Sequence, residues 1–553
     1  LNQAEWVQAE GWQDWAREVA MRFGVSGTLA MLLSRRSWDN GALESFLRPD
    51  HVPWPDPLRI PGMAAAAARL KAAVEKGSAI LIHGDYDVDG LMGTAVLMGG
   101  LRALGAKVEA FIPSRFEGGY GLSEASLEAV RLSGASLLVT TDCGTNSREI
   151  GEELVARGVE LIVTDHHRPA EGQQPPALVV NPHLVPDHPD RSLCGTFVAL
   201  QTLRQVAAEM GRDLPLEPFL RLTAIATVAD LVPMSAVNRR ACKAGFRAMG
   251  FTPSPGLALL LEKAGIREVI RSHHIAFHVA PRFNAAGRME DARLVLDLLL
   301  EREHVKAAQL MGRLESLNRK RKALQASTYE EACGQVLERE GGRVVFVFSD
   351  RWHRGVLGPV AARLAETFQR SAFVVAVEGG EGVGSARSWN HDDVCSVLDR
   401  VGHLLVRYGG HEGAAGFTVK AERLHEVADA LRGLPAQDEP ASKRDLYYPI
   451  EPGLLSQAWE AWGELDPFGP GNEEPILGVT GLYARGQRVV ADRHLLWSAL
   501  LPDGQPLNVI AWDGVPRGME PSTLTPSRMV IGRPAPDSRR GGLPFYLNVQ
   551  AIL

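Results

Sequence analysis

Four short apolar runs, "AILIH" (79–83), "KVEAFI" (107–112), "LLVTT" (137–141) and "ELIVT" (160–164), constrain this chain more than any other feature. Each is separated from the next by a helical pattern: "LMGTAVLMGGLRALGA", then stretches near 123–133 and 148–157, with "MAAAAARLKAAVEKG" ahead of them all. Buried β runs alternating with helices predict a parallel sheet covered on both faces. "TFVALQTLRQVAAEM" and "PFLRLTAIATVADLV" read as helices that complete this α/β domain, expected over 61–290.

The strands end in unusual company. "AILIH" runs into His83, Asp85, Asp87 and Asp89 within "HGDYDVDG"; "LLVTT" runs into Asp142; "ELIVT" runs into Asp165, His166 and His167. Asp230 closes the helical run "LTAIATVAD". One Asp after a strand is ordinarily a turn residue or a helix cap. Several crowded together repel, and each raises the pKa of the next unless a cation lies between them. In parallel α/β sheets, sites gather beyond the carboxyl ends of the strands, so these clusters are expected to converge. Seven or so Asp and His donors suit two divalent cations. Mixed imidazole and carboxylate donors favour manganese ahead of magnesium, which prefers oxygen. Two such ions clamp the attacking and leaving oxygens in phosphoryl transfer.

The remaining chain divides by pattern. Residues 1–60 carry amphipathic helices and the proline-rich connector "RPDHVPWPDPLRIPG". Residues 291–340 lack proline and hold two glycines, and read as one or two long helices linking two globular parts. "RVVFVFSD" at 343–350 starts a second, smaller α/β domain, placed at 341–434. "PAQDEPASKRD" is a polar linker, and 446–553 alternates short strands with turns, as a small β-barrel does.

Composition excludes several classes. The formal net charge is -7, so nucleic-acid binding would need local basic patches. The five cysteines form no C-x-x-C pair, which argues against a disulfide framework or structural zinc and fits a reducing cytoplasm. No apolar stretch approaches the ~18 residues of a membrane span. The polar, acidic first residues are unlike a signal peptide, and "FYLNVQAIL" at the end reads as an unfinished strand, so a longer native chain is expected.

"DYDVDG", "TTDCG", "VTDHH" and "ATVADLVP" together resemble the DHH phosphoesterase family, named for the triplet at Asp165, His166 and His167. "RFEGGYGLS", "CGTFVAL", "APRFNAAGRM", "GSARS" and "YGGHEGAAGF" extend the resemblance to its single-strand-specific exonuclease branch, densely over about residues 50–420. The resemblance implies a DHH domain, a long linking helix, a smaller DHH-associated domain and an OB-fold. It also implies that His83, Asp87 and Asp142 hold one metal and that Asp89, Asp142, His166 and Asp230 hold the other. Asp142 would then bridge the two, with His167 beside the scissile phosphate as electrostatic or acid partner. Asp85 either ligates or supports the shell, and Asp165 orients a histidine.

The glycine-rich segments at 282–289, 384–388 and 408–417 offer small residues and a cation each, suited to phosphate. In this family they face the metals, which assigns Arg282, Asn284, Arg288, Ser385, Arg387 and His411 to substrate. Tyr120 and Phe116 either stack on a base or pack a loop, and the basic stretch "RLESLNRKRK" is as well explained by a solvated helix face. The expected activity is a metal-dependent 5′-to-3′ exonuclease on single-stranded DNA in recombination and repair. Expected partners are single-stranded DNA, a single-strand-binding protein and a helicase, with the chain a cytoplasmic monomer. Two rivals are a DHH phosphodiesterase of dinucleotides or signalling nucleotides and a non-catalytic replication scaffold. The long extra segments weigh against the first, and the full set of acids against the second.

Overall fold

The structure is a computed structural model. It describes residues 5–116 except 35 and 37, 121–251, 254–267, 269–338, 342–434 except 391, and 444–553 except 491, 493, 513, 515–518, 520–523 and 538–542. The chain divides into a central unit, Pro55–Val232 with Ala241–Pro440, and a terminal unit, Leu1–Trp54 with Pro233–Arg240 and Ala441–Leu553.

The central unit holds two sheets. The first comprises β1 (Ala79–Gly84), β2 (Lys107–Phe111), β3 (Leu137–Thr141), β4 (Glu160–Thr164) and β5 (Leu178–Val180), in the order β2-β1-β3-β4-β5, every pair parallel. Its central strands are buried on both faces: every residue of β3 is buried, and β1 is buried from Ile80 onward. That is why these runs show no alternation of polar and apolar residues. The helices that matter for the site are α1 (Val88–Ala103), α2 (Gly195–Glu209), α3 (Glu217–Ala229), α4 (Ala236–Met249, whose first residues belong to the terminal unit) and α5 (Ala280–Met289).

A 35-residue helix, α6 (His304–Glu338), leads to the second sheet. This comprises β6 (Val345–Ser349), β7 (Ala372–Glu378), β8 (Glu381–Arg387), β9 (Leu405–His411) and β10 (Ala414–Lys420), in the order β9-β10-β8-β7-β6, with only β6 and β7 parallel. The long apolar stretches of β7 and of Leu357–Phe368 fill its core.

The terminal unit departs from the expectation of two separate pieces. Its eight-stranded mixed sheet runs Glu5–Gln8, Arg444–Ile450, Leu477–Val479, Val530–Pro536, Phe545–Ile552, Pro506–Ala511, His494–Leu500, Tyr483–Val490. The C-terminal strands form an OB-fold-like sheet, and the N-terminal strand pairs in parallel with Arg444–Ile450. Helices Gly27–Leu33 and Leu455–Leu465 share one apolar core with these strands. Trp462 and Trp497 are buried, Trp459 stacks between Trp462 and Phe545 at 4.9 and 5.1 Å, and Trp512 is exposed. Among the described residues no helix is long and apolar enough to cross a membrane.

Candidate metal centre

Register brings the acids together. Gly84 pairs with Thr141 and Thr141 with Thr164, so β1, β3 and β4 end level. Asp85, Asp142 and Asp165 therefore leave the sheet side by side. The chain after β1 turns at once into α1, with Asp87 as N-cap accepting from the Gly90 N–H at 3.1 Å. Only glycine fits at position 90, because a Cβ there would fall 2.5 Å from the Asp85 backbone.

Three overlapping groups result. Asp85, Asp87 and Asp142 form one, Asp89, His166 and Asp230 a second, and Asp142, His166 and His167 a third, each with its donor atoms within 4.8 Å of one another. His166 Nε2 lies 3.1 Å from Asp142 Oδ1, 3.5 Å from Asp230 and 3.6 Å from Asp89. Burial, then the charges of Asp89 and Asp87, hold Asp142 well above the usual carboxylate range. Burial and Asp87 do the same to Asp85, and burial with Asp89 raises Asp87. Asp230 is pushed up to about 8 by burial, Asp89 and Asp87. Asp85 Oδ1 is buried without a hydrogen-bond partner. Crowded carboxylates, an orphaned buried oxygen and imidazole nitrogens aimed among them fit two divalent cations.

Neighbouring groups orient this set. The first turn of α2 points at Asp89: the Gly195 and Thr196 N–H groups donate to its two oxygens at 2.6 and 2.7 Å, and the Thr196 hydroxyl donates to its carbonyl at 2.8 Å. This is a helix N-terminus placed against an anion. Asp165 accepts from the Thr145, His166 and His167 N–H groups at 3.0, 2.8 and 3.2 Å, and from His167 Nδ1 at 2.8 Å. Burial opposes ionisation of Asp165, but the His167 hydrogen bond and charge outweigh it and its pKa falls. Burial likewise opposes the charge on His167, and the Asp165 hydrogen bond overcomes it, raising His167 to about 9. Asp165 thus orients His167.

One expected ligand is placed differently. His83 turns away from the acids: its Nε2 is 2.9 Å from Ser126 Oγ and its Nδ1 3.6 Å from Cys143 Sγ. Burial lowers it to about 4, so it is neutral. Asp85 stands in the group that the resemblance gave to His83. Ser126 and Cys143 engage both ring nitrogens of His83, whereas Asp85, past the strand end, stands with Asp87 and Asp142.

Beside the acids lies a group of arginines. Arg115 stacks 4.2 Å over the ring of Tyr86, which separates Asp85 from Asp87. Burial lowers Arg288 to about 9, with Arg115, Arg321 and Arg387 adding to the effect. Burial and Arg115 lower Arg387, whose Nη1 donates to Ser385 Oγ at 3.0 Å. Arg115 Nε and Arg321 Nε are buried without hydrogen-bond partners. Arg288 and Arg387, lowered by burial and by the guanidiniums beside them, call for an anion. Of the residues expected to bind substrate, Arg288, Ser385 and Arg387 meet here. Asn284 sits half-buried one turn before Arg288 on α5, and His411 is exposed at the end of β9, its Nδ1 accepting from the Gly413 N–H at 3.2 Å.

Arg282 corrects its expectation. It pairs with Glu315 of α6 at 2.5 Å and donates to the His278 and Lys263 carbonyls at 2.6 and 3.2 Å, so its donors are spent on the fold. Phe116 packs edge-on to His353 at 5.9 Å and under Arg354 at 5.4 Å, the packed-loop alternative. Tyr120 lies outside the described residues. Sequence reasoning missed Arg115, although it opens the quoted "RFEGGYG" segment, and Arg321, which lies in the basic stretch read as a solvated face.

A parallel sheet that ends in metal-type donors, joined by one long helix to a mixed sheet that adds Arg387 to a group of arginines beside them, defines a class for which family descriptions exist. Residues 79–227 match the DHH family, N-terminal domain, and residues 341–434 the DHHA1 domain. The chain is 37% identical over 459 residues to the single-stranded-DNA-specific exonuclease RecJ of Thermus thermophilus, covering 82% of this chain and 66% of that protein. It is 32% identical to RecJ of Dickeya dadantii, covering 78% of this chain and 80% of that protein. The crystal structure of Thermus thermophilus RecJ in complex with Mn2+ matches with a TM-score of 0.82 at 30% identity, covering 99% of this chain and 79% of that one. The chain belongs to the DHH family, in its RecJ branch. It spans just under two thirds of the length of the Thermus relative.

Proposed function

We propose that this chain is a metal-dependent exonuclease that degrades single-stranded DNA from its 5′ end to nucleoside 5′-monophosphates. The observation that carries the reading is the juxtaposition across Tyr86 of a carboxylate and imidazole cluster with a guanidinium cluster. One is built for cations and the other for an anion, at the spacing of adjacent side chains. Kinship with RecJ supports single-stranded DNA as the polymer and a Mn2+ centre, and the 5′ polarity is what the resemblance of the motifs implies.

Asp85, Asp87, Asp89, Asp142, His166 and Asp230 would hold two divalent cations, with Asp142 shared. Bound there, the cations supply a water of lowered pKa and positive charge for the scissile phosphate. The chain's own residues do the rest. Arg115, Arg288 and Arg387 with Ser385 bind the terminal phosphate and fix which bond lies over the acids. His167, held by Asp165 through Nδ1, presents its Nε2 proton to a phosphate oxygen or the leaving group. The α2 amides hold the Asp89 carboxylate in place. On this reading the protein works in the cytoplasm as a monomer. A helicase would generate its single strands and a single-strand-binding protein would cover them.

The test is incubation of the protein with Mn2+ and single strands labelled at the 5′ nucleotide. Release of labelled mononucleotide in the first turnover, with duplex left intact, is the expected result. Hydrolysis of a dinucleotide but not of a long strand would overturn the reading in favour of a small-nucleotide phosphodiesterase, and no hydrolysis of either in favour of a scaffold.

A further inference from the structure

The central strand β3, "LLVTT", ends in two threonines although every one of its residues is buried. At Thr140 a valine would fill nearly the same space, and apolar β-branched residues suit a strand covered on both faces. Thr140 is fully buried, so its hydroxyl is unfavourable there unless it is hydrogen-bonded. Its Oγ1 donates to the Cys143 carbonyl at 2.6 Å. That bond reaches forward over Thr141 and Asp142 and closes a turn just beyond the strand end. Gly144 follows at φ +109°, and a Cβ there would fall 2.9 Å from Thr140 Oγ1, so the turn is wrapped directly on this hydroxyl.

Asp142 lies inside that turn at φ +62°, in the left-handed region. Aspartate tolerates this region better than most residues, but it remains a sparsely populated one. The backbone is pinned on both sides of it. The Asp142 N–H donates to the Thr164 carbonyl at 2.9 Å, which carries the β3–β4 ladder past the strand end. The next carbonyl but one along the chain, that of Cys143, is the one Thr140 holds. Thr164 Oγ1 in turn donates to the Thr140 carbonyl at 2.7 Å, so hydroxyls as well as the ladder tie the two strand ends together. The Asp142 carboxylate belongs to two of the three donor groups, one with Asp85 and Asp87 and one with His166 and His167. A sparsely populated backbone angle persists only where the surroundings over-determine it, and such angles gather at functional sites.

We propose that Thr140 is a positioning residue for the metal centre: by holding the Cys143 carbonyl, its hydroxyl keeps Asp142 in the left-handed conformation that aims its carboxylate between the two donor groups. The inference rests on the reading of Asp142 as a ligand shared by both cations. Without the hydroxyl the Cys143–Gly144 peptide is free to rotate, and Asp142 relaxes towards negative φ, carrying its carboxylate with it. Because that carboxylate is shared, both cations feel the change. Loss of a ligand to one cation alone would not have this signature.

Calorimetric titration of the full chain with Mn2+, without substrate, tests it. Thr140→Val keeps the shape and removes the donor. It should weaken both Mn2+ equivalents about 10- to 100-fold, the usual effect of losing a group that orients a ligand, lower kcat, and leave KM for single strands near wild type. Thr140→Ser keeps the hydroxyl and should recover most of the loss. A purely structural threonine would lower the melting temperature in EDTA and leave both Mn2+ affinities at wild type, which overturns the proposal. Weakening of one equivalent alone overturns it as well. If Thr140→Val does not fold, Thr140→Ala and Thr140→Ser make the same comparison, since they differ by the hydroxyl alone: weaker Mn2+ binding in the alanine variant supports positioning, and equal binding overturns it. Asp142→Asn separates this from failure of the underlying reading. Wild-type Mn2+ affinity in that variant would mean that Asp142 is no ligand, whereas loss there with wild-type affinity in Thr140→Val would remove only the part given to Thr140.

Discussion

At the ends of β1 and β3, burial raises the pKa of Asp85, Asp87 and Asp142. At the end of β8 and on α5, burial lowers that of Arg387 and Arg288. Both regions crowd like charges out of water, and each is strained by its own members. A chain selected for stability alone would interleave the two into ion pairs, as it does at Arg343 with Asp392 or Arg282 with Glu315. Here they adjoin across Tyr86 and remain largely segregated. Charge crowding of this kind persists where a ligand of opposite sign completes the site. The parallel sheet achieves it by register, which delivers one residue from each of three strands to the same edge. The mixed sheet achieves it by recruiting Arg387 from β8, while Arg115, Arg288 and Arg321 come from a loop and two helices.

The largest expected effect comes from the acid side. Asp142→Asn should reduce Mn2+-dependent turnover by about 1,000-fold or more, a few kcal/mol of transition-state stabilisation. The same change should leave the melting temperature in EDTA equal or higher, because it removes a carboxylate whose ionised form is disfavoured. It should also abolish the rise in melting temperature on adding Mn2+. A variant that melts lower in EDTA would mean that Asp142 stabilises the fold, and the contrast between the two regions would lose its basis.

Gly195→Ala is the next step down. A Cβ at that position would fall 2.7 Å from both the Asp142 Cβ and its Oδ1, and the first turn of α2 would have to retreat from Asp89. Turnover should fall about 100-fold through misplacement of two carboxylates, with KM for the strand little changed. Titration with Mn2+ is the check, since partial rescue at high metal concentration is expected if geometry alone is lost.

On the basic side, Arg387→Ala and Arg288→Met should each slow cleavage of 5′-phosphorylated strands about 10- to 100-fold, the ~1–3 kcal/mol of a charged hydrogen bond. Strands with a 5′-hydroxyl should be affected less. Arg282→Ala is the control that sharpens the comparison. It breaks the pair with Glu315, so it should lower the melting temperature and leave the phosphate-to-hydroxyl rate ratio at wild type. A changed ratio in that variant would return Arg282 to the substrate.

These contrasts mark how far the sequence could be read. The acid side was legible because its logic is local. An apolar run predicts a strand, its last residue predicts where the chain leaves the sheet, and parallel order predicts convergence. His83 was misplaced because its partners, Ser126 and Cys143, lie on other elements and nothing near His83 in the sequence announces them. The basic side was less legible because each arginine's role depends on what faces it. Arg282 reads like Arg288 until Glu315 is seen opposite one and other arginines opposite the other. The terminal unit was least legible: Glu5–Gln8 and Arg444–Ile450 carry no mark of their pairing, and nothing in "VPMSAVNRR" announces that Arg239 fills a pocket of carbonyls.

The smallest expected effect tests the rule behind the comparison in a place with no metal. Glu474, in the terminal unit, has a side chain 25% exposed, accepts from Trp462 Nε1 at 2.8 Å, and lies 3.9 Å from Arg533. Burial raises it to about 7, against the partial opposition of Arg533 and Trp462. This carboxyl is relieved of its charge by a proton rather than by a cation. The folded state therefore holds the proton more tightly than the unfolded one. The stability this gives is fully present below about pH 4.5, and it is lost as pH rises through about 7. Glu474→Gln keeps the shape and the Trp462 bond without the titration. It should stabilise the protein by about 1–2 kcal/mol above pH 7, less than the full shift implies because the group is partly exposed, and should change little at pH 4.5. Urea melts at the two pH values decide it. An equal effect at both would show that Glu474 is not proton-relieved, and that burial alone does not govern the acids of this molecule.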